Sequence, residues 1–539
     1  MFRTLSLFLS RELLKVTSLA LGAFTLVMTV FAIIEPLRRR GLGAEQVLAL
    51  FGYTLPGMVS LTLPIAALFA ATIVYGRFSQ DNELMACRAG GIPTLSLLRP
   101  ALVLGAVVTI ASLLLSNLVT PRMAALAEKS VTRNIPGIVR ERLVSQGYIN
   151  YQSYIIHAAR ARDSQDLLEL EGVVAADLRK EEDLRFLSAQ TAVVSFTPRY
   201  GQTYATVHLI QPTVTRTGAQ DILQETTGPL PPEPAPSLVK DNPAWYDWSQ
   251  LRRTLANPLE NRQVGDELRK IQRGIRHSML CREIADVINA GRPYDRLANG
   301  REQVVIEAAQ AQLAAGDEET SLLSSPERPV RVSVLRNGQV YQTATADHGA
   351  VEPLWSAEQD LSLVRLRLAG NVESGYWVGG QLQESHRRDE MSFSPLPIPR
   401  DILQQAQQIR LEDIYRAADH PAFSLRVRAS INNLKQNVIA TLTNKIIAEM
   451  HVRVSYGLSC FLMVALGAAL GLMFRGGQMI SAFTLSVIPA SVVIVLIMMG
   501  KQMVRNSRVS TTAGLAAMWS GIVILSLANA AVYARLARK

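Results

Sequence analysis

Six stretches of this chain lack every charged side chain, and they also lack histidine. The six stretches are residues 16–34, 46–76, 100–121, 454–474, 476–500 and 509–534. The shortest has 19 residues, which as a helix would reach about 28 Å, roughly the thickness of the hydrocarbon core of a bilayer. We therefore predict six transmembrane helices, three before Arg122 and three after Arg453.

The missing charges also exclude some sources of energy. A carrier driven by an ion gradient is expected to hold carboxylates or histidines within its spans, and the six stretches hold none. The P-loop pattern G-x-x-x-x-G-K-[ST] is absent, as are H-E-x-x-H and G-x-S-x-G. We predict that the chain is not an enzyme and that a separate partner supplies any energy it uses.

Cysteine is scarce, with three residues in the chain. If the termini are cytoplasmic, Cys87 is cytoplasmic, Cys460 lies in a span and only Cys281 is outside, so no intramolecular disulfide is expected. The seven histidines show no metal-ligand spacing. We therefore predict neither a metal site nor another cofactor.

Positive charge is concentrated in the predicted membrane part. Residues 1–121 and 475–539 hold 16 Lys and Arg against 5 Asp and Glu, whereas the middle of the chain is nearly balanced. Ten of the cations that flank spans lie on the side of the termini and six on the other, which favours cytoplasmic termini. This location of the basic excess argues against nucleic acid as a partner and favours phosphate-bearing lipid.

The six cations on the opposite side need an explanation of their own. They are Arg38, Arg39, Arg40, Lys501, Arg505 and Arg508. Arginine pairs with phosphate through two parallel hydrogen bonds, so contact with lipid phosphate is one interpretation. The other is simple anchoring of helix ends at the membrane surface.

The long middle of the chain predicts an extracytoplasmic β domain with a helical insert. Alternating apolar residues in 148–159, 170–178, 184–196 and 204–214 indicate strands, and they return in 330–345 and 361–372. Asn337-Gly338 is a hairpin turn signal. The proline-rich segment 228–237 reads as a stiff linker, and 245–315 reads as helices.

This pattern predicts the following organisation. Residues 1–121 form spans one to three, 122–227 the first part of the β domain, 228–329 a helical insert, 330–400 the second part, 401–452 a helical connector and 453–539 spans four to six. A short polar helix, within 78–91, joins spans two and three on the cytoplasmic side.

That short helix lies in the stretch RFSQDNELMACRAGGIP, residues 77–93. Asp81 and Glu83 fall near its start and Arg88 near its end, as the helix dipole favours. Gly90-Gly91 supplies a left-handed stop, and Pro93 prevents continuation. It is either an ordinary interfacial turn or a docking helix whose acid pairs with a basic residue of an ATPase.

Two segments resemble the lipopolysaccharide-export permeases of the LptF/LptG family. NELMACRAGGI is similar to the cytoplasmic helix of the family, an acid followed by Arg-Ala-x-Gly and an apolar residue. AEMHVRVSYGLSCF is similar to the Glu-x-His-x-Arg entry into the fourth span, here Glu449, His451 and Arg453. The plan of three spans, an outer β domain and three spans also matches, whereas the extra length in 228–329 and Trp519-Ser520-Gly521 in the sixth span depart from the family.

The resemblance implies a six-span membrane protein with a periplasmic β-jellyroll-like domain in the bacterial inner membrane. In the family, two permease subunits stand beside a cytoplasmic ABC ATPase dimer. They pass lipopolysaccharide from the membrane to periplasmic bridge proteins. Asp81, Glu83, Arg88 and Gly91 would then form the ATPase-coupling site. An F-like and a G-like subunit both fit, as do a homodimer and a heterodimer.

Two other classes stay open. The main alternative is a membrane-anchored periplasmic scaffold or assembly protein that transports nothing, and it would not need an ATPase-facing helix. A membrane enzyme is a further alternative, and it would need a convergent cluster of acids or histidines in the helical insert.

Overall fold

The computed structural model describes most of the chain. The described residues are 2–40, 44–123, 125–126, 143, 147–151, 154–164, 167–177, 185–199, 202–210, 213–216, 223–224, 233–234, 242–300, 302–313, 319–356, 361–378, 381–393, 395–409, 414, 425–474, 479–506 and 510–538. The chain divides into two compact units, here called the membrane unit and the sheet unit. The membrane unit comprises Met1–Ser145, Ser237–Pro258 and Ile439–Lys539, and the sheet unit Gln146–Pro236 and Leu259–Val438.

The membrane unit is helical. Its helices before the sheets are α1 (Phe2–Arg40), α2 (Ala44–Gln80), α3 (Glu83–Ala89), α4 (Thr94–Leu97) and α5 (Arg99–Leu114), which continues as a π-helical turn (Leu115–Val119). The helix α6 (Trp248–Ala256) follows, preceded by a 3-10 turn (Pro243–Trp245). The unit closes with α10 (Ala440–Met473), α11 (Met479–Arg505) and α12 (Thr511–Ala537).

Among the described residues, six helical stretches are long and apolar enough to cross a membrane, which confirms the six predicted spans. They are Thr4–Phe31, Leu55–Gln80, Thr94–Met123, Leu425–Met473, Phe483–Arg505 and Thr511–Ala537. The helix α10 lies at the centre of the unit and packs against α2, α5, α11 and α12. The many apolar side chains exposed on the peripheral helices, such as Leu19 and Val103, suit contact with lipid rather than water.

Glycines allow α10 to approach α2 closely. A Cβ added at Gly467 would lie 2.8 Å from Leu68 Cδ1, and one at Gly471 would lie 2.9 Å from the Thr72 carbonyl oxygen. Both distances are below ordinary van der Waals contact, so no larger residue fits without a shift. Gly467 and Gly471 thus allow close packing of the two helices.

The sheet unit contains two antiparallel sheets. The first is formed by β1 (Tyr148–Tyr151), β2 (Tyr154–Ser164), β3 (Leu167–Asp177), β4 (Arg185–Arg199), β5 (Gln202–Ile210), β6 (Thr213–Arg216), β7 (Leu223–Gln224) and β8 (Glu233–Pro234). Its main order is β1-β2-β3-β4-β5-β8, with β6 on β4 and β7 on β6. Strands β1 to β5 thus pair with their neighbours in the chain, as expected for a meander.

The second sheet begins after a long helix and has ten strands. They are β9 (Tyr294–Ala298), β10 (Glu302–Glu307), β11 (Gln310–Leu313), β12 (Thr320–Leu323), β13 (Val330–Arg336), β14 (Gln339–Ala346), β15 (His348–Ser356), β16 (Leu361–Val378), β17 (Gln381–Ser392) and β18 (Leu396–Pro397). The order is β11-β12-β15-β16-β14-β13-β10-β9, with β17 and β18 also on β16. The domain is a curled, jellyroll-like antiparallel half-barrel, as predicted.

Alternating residues of the second sheet face one apolar core. In β13, Val330, Val332 and Val334 are buried, and α7 (Arg262–Asn289) adds Leu280 and Ile284 to the same cluster. The predicted hairpin turn is confirmed, since Asn337 and Gly338 have φ of 50° and 78° between β13 and β14. The remaining helices of this unit are α8 (Arg400–Gln408) and α9 (Leu425–Asn433).

The prediction of helix over 245–315 is wrong in its second half. The helix α7 ends at Asn289, and Gly291 follows with a left-handed φ of 75°. Pro293 prevents continuation, because it has no backbone N–H to donate. Strands β9 and β10 then form a hairpin around Asn299-Gly300, a turn signal that the sequence reading missed.

The first part of the predicted helical insert packs on α10. Residues 242–256 belong to the membrane unit, where the 3-10 turn and α6 pack against α10. The helix α6 is fixed at its start by a capping box, in which Asp247 accepts from the Gln250 backbone N–H at 2.7 Å. Apolar Leu251 is completely buried on its inner face.

Candidate functional site

The helix α3 is a separate element between spans two and three. The helix α2 runs on to Gln80, so α3 begins only at Glu83, inside the predicted range 78–91. Asn82, with φ of 58°, makes the break. Gly91, with φ of 74°, provides the left-handed stop, whereas Gly90 has φ of −81°.

The loop that carries α3 is tied to the spans on both sides. Leu84 is 2% exposed and belongs to the core of the membrane unit. The Tyr75 hydroxyl of α2 donates to the Leu97 carbonyl oxygen at 2.8 Å. The Arg88 Nε donates to Thr94 Oγ1 at 3.1 Å, so this arginine holds the loop closed rather than projecting from it.

The opposite face of α3 is open. Glu83 and Met85 are exposed, and no described cation lies within ion-pair distance of Glu83. Asp81 is also exposed, but its carboxylate lies 3.5 Å from Arg77 Nε. Burial, followed by the nearby Glu83 carboxylate, raises the pKa of the Cys87 thiol. The face thus presents one unpaired acid beside an apolar side chain, on a backbone that its anchors hold in place.

A second charged cluster lies at the other end of the spans. The Glu449 Oε1 accepts from Arg453 Nε at 3.2 Å, and its Oε2 lies 2.9 Å from Lys501 Nζ. Glu449 and Arg453 are 8% and 4% exposed. The carboxylate thus contacts Arg453 on its own helix and Lys501 on α11. The contact with Lys501 joins the two helices, and the two cations together offset the cost of burying the carboxylate.

Arg453 extends the cluster to two further elements. Its Nη1 donates to Asn117 Oδ1 at 2.9 Å, and its Nη2 donates to the Ala244 carbonyl oxygen at 3.0 Å. The Asn117 amide in turn donates to the Leu113 carbonyl oxygen. The guanidinium therefore holds the third span and the 3-10 turn before α6 against the fourth span.

The third member of the Glu-x-His-x-Arg motif faces another helix. The Trp519 Nε1 donates to His451 Nδ1 at 3.2 Å, and the two rings meet edge to face. Each polar residue of the motif thus contacts a different neighbour of α10. The motif has a structural role at this point, joining helices that are far apart in the chain.

The six outward cations do not share one environment. Lys501 is paired with Glu449, whereas Arg505 makes no ion pair with a described carboxylate. Arg38, Arg39 and Arg40 are the last residues of α1, and Arg508 lies outside the described residues. Lys445, which the sequence reading missed, stands one turn before Glu449 on α10 and is close enough to Arg505 for their charges to repel.

These features define a multi-pass membrane protein with a jellyroll-like antiparallel domain and a short anchored helix between its second and third spans. The chain belongs to the family described as "Lipopolysaccharide export system permease LptF/LptG". The sequence model of this family matches residues 7–233 and 292–535. The family defines a permease subunit of a transporter for lipopolysaccharide. A comparison with individual curated proteins finds no significant match.

The family match shows which residues this chain shares with the family and which residues are added in this chain. Residues 234–291 lie between the two matched ranges, so the added segment is shorter than the predicted insert of 228–329. It contains α6 and most of the residues before β9, including α7. Strands β9 to β12 fall within the matched part and belong to the second sheet.

Proposed function

We propose that this chain is a transmembrane subunit of an ABC transporter that extracts lipopolysaccharide from the bacterial inner membrane. Membership of the permease family supports the substrate. The observation that carries the mechanism is α3, whose exposed Glu83 stands on a loop anchored by Leu84, Tyr75 and Arg88. Because this loop is fixed to the spans, a partner that binds Glu83 and then moves can also move the spans.

The partner that fits Glu83 is a cytoplasmic ABC ATPase dimer with a basic residue at its docking surface. The chain has no P-loop of its own, so the ATPase supplies the energy. Within the coupling site, Glu83 makes the contact and Asp81 adds negative charge. Arg88 and Gly91 set the shape of the loop. A second permease subunit of the same family completes the transporter, and periplasmic bridge proteins receive the lipid.

The lipid enters on the side of the outward cations. Arg38, Arg39 and Arg40 end the first helix, and Arg505 and Arg508 follow the fifth span, with Lys501 one turn earlier. Two observations support a phosphate-binding role for Arg505, its lack of an acidic partner among described residues and its proximity to Lys445. Two neighbouring cations are stabilised by an anion between them. The jellyroll-like domain then receives the lipid.

The coupling role is tested by changing Glu83 and Asp81 separately. Glu83→Arg should reduce recovery of the ATPase in a pull-down by at least about tenfold, since breaking a buried interfacial charge pair costs roughly 2–5 kcal/mol. Glu83→Gln should reduce it less. Asp81→Asn removes the same charge from a carboxylate that Arg77 already neutralises, so we expect a smaller loss.

Transport is measured with the same variants in proteoliposomes. If Glu83→Arg left both ATPase recovery and lipopolysaccharide release unchanged, α3 would not be the coupling element. The scaffold alternative would then be favoured. Equal losses from Asp81→Asn and Glu83→Gln would show that the charge of the loop, rather than Glu83 itself, attracts the ATPase.

A further inference from the structure

The segment from Pro243 to Ala256 is an added element at the membrane boundary. It lies within the residues that the family does not match, yet it packs on the membrane unit rather than on the sheets. The Ala244 carbonyl oxygen accepts from Arg453, and the charge-free stretch of the fourth span begins at the next residue, Val454. The segment is therefore fixed where the hydrocarbon core ends.

The side of the membrane follows from the course of the spans. The third span leaves the loop of α3 at Thr94 and reaches Asn117 near its far end. Asn117 contacts Arg453 at 2.9 Å, so Arg453 and Ala244 lie at the end of the bundle opposite α3. With α3 in the cytoplasm, the segment faces the outer leaflet.

The composition of the segment suits a position at the interface between membrane and water. Trp245, Tyr246 and Trp248 are half-buried, and tryptophan and tyrosine are enriched where a membrane meets water. The helix α6 is amphipathic, with Trp248, Leu251 and Leu255 on the face toward α10. Its outer face carries Arg252 and Arg253, both exposed.

No described carboxylate forms an ion pair with either arginine. The nearest acid in sequence is Asp247, and its carboxylate is engaged by the Ser249 hydroxyl at 2.6 Å and the Gln250 backbone N–H at 2.7 Å. Those bonds fix the start of α6. The Arg253 charge also acts on this carboxylate, and both arginine side chains are exposed. Such an arrangement is complementary to a row of phosphates.

We infer that α6 binds the phosphate headgroups of anionic phospholipids in the outer leaflet. The aromatic residues hold the segment at the interface, Arg453 fixes it to the bundle, and Arg252 and Arg253 contact the lipid. This role is independent of lipopolysaccharide export and of the ATPase, because it requires only that the chain spans a membrane. It gives the added segment a partner of defined chemistry.

The test places a fluorescent maleimide on Ala256→Cys in a Cys87→Ser background. Cys281 and Cys460 are buried and stay in place. The full chain is reconstituted in nanodiscs of phosphatidylcholine, with or without phosphatidylglycerol, and a few lipids carry a nitroxide on the headgroup. We expect quenching in both lipids, stronger with phosphatidylglycerol and weakened by high salt. No quenching in either lipid would overturn the proposal, since α6 would then lie in water.

The charge of α6 is tested with a matched pair of variants. Native mass spectrometry measures binding of phosphatidylglycerol to wild type, to Arg252→Gln/Arg253→Gln and to Arg387→Gln/Arg388→Gln, which removes two exposed cations of β17. Each cation near an anionic surface contributes about fivefold, so the first variant should bind roughly 10- to 30-fold more weakly and the second should bind like wild type. Equal binding by all three proteins would refute the role of the arginines.

Discussion

The membrane unit carries two charged sites that share a simple pattern, an acid followed on the same helix by an arginine, and their environments are opposite. On α3, Glu83 is exposed and Arg88 bonds to a threonine instead of to the acid. On α10, Glu449 and Arg453 are buried and bonded to each other. Glu83 is available to bind another molecule, whereas Glu449 is already bonded to cations of the same chain.

The difference teaches how to assign roles to charges in a membrane protein. A buried ion is tolerated only when partners satisfy it, and Glu449 has two cations whereas Arg453 has three acceptors. An exposed and unpaired acid at the start of a helix contributes only a modest interaction with the helix dipole, and its carboxylate stays available to another molecule. Contacts therefore distinguish the structural site from the docking site, although the residue types are the same.

Loss of Arg453 should give the largest change in stability. Arg453→Ala leaves Glu449 with one cation and leaves Asn117 and the Ala244 carbonyl oxygen without their donor, so we expect a loss of about 3–5 kcal/mol in the free energy of unfolding. Thermal unfolding in detergent measures it. Arg535→Ala, at an exposed arginine near the end of α12, is the control. Equal effects of the two variants would mean that the buried cluster does not stabilise the unit.

A smaller effect should separate Lys501 from Arg505, although both are outward cations. Lys501→Gln removes a charge-assisted bond to Glu449 and should cost about 1–3 kcal/mol. Arg505→Gln should change stability by less than about 0.5 kcal/mol but should reduce photocrosslinking of labelled lipopolysaccharide in nanodiscs. The interpretation of Arg505 as a lipid contact would be contradicted if crosslinking by wild type and this variant were equal.

The smallest expected effect concerns Cys87. Burial and the Glu83 carboxylate raise the pKa of this thiol, so its thiolate forms at higher pH than that of an ordinary cysteine. Glu83→Gln removes the second cause and should speed maleimide labelling a few-fold near pH 8, since the thiolate is the reactive form. The pH dependence of the labelling rate measures the shift. An unchanged rate would show that the Glu83 carboxylate does not act on Cys87.

Much of the architecture could be predicted from the sequence because it follows local rules. Charge-free stretches predict the spans, and Asn337-Gly338 predicts a hairpin. The helix α7 was extended too far because the stop signal at Gly291 and Pro293 and the turn at Asn299-Gly300 were overlooked. These signals are local, so the sequence did contain them.

The buried cluster could not be predicted in the same way. Glu449 and Lys501 are on different helices, and only the packing of α10 on α11 brings them together. The contact of Arg453 with Ala244 uses a backbone carbonyl oxygen, and any residue other than alanine could supply it. For this reason the sequence alone groups Lys501 with the outward cations and places residues 245–256 in the helical insert.

The close contact of α2 with α10 has a mechanical consequence. Because Gly467 and Gly471 let the two backbones approach, the pair has little free space between its helices, and Ser79 Oγ also donates to the Leu472 carbonyl oxygen at 3.3 Å. Tyr75 of α2 is bonded to Leu97 at the start of the third span, directly after the loop of α3. We expect a displacement of that loop to tilt both helices together as a rigid pair. The opposite end of this pair lies at Arg453. A displacement at one face of the bilayer would therefore cause a movement at the opposite face.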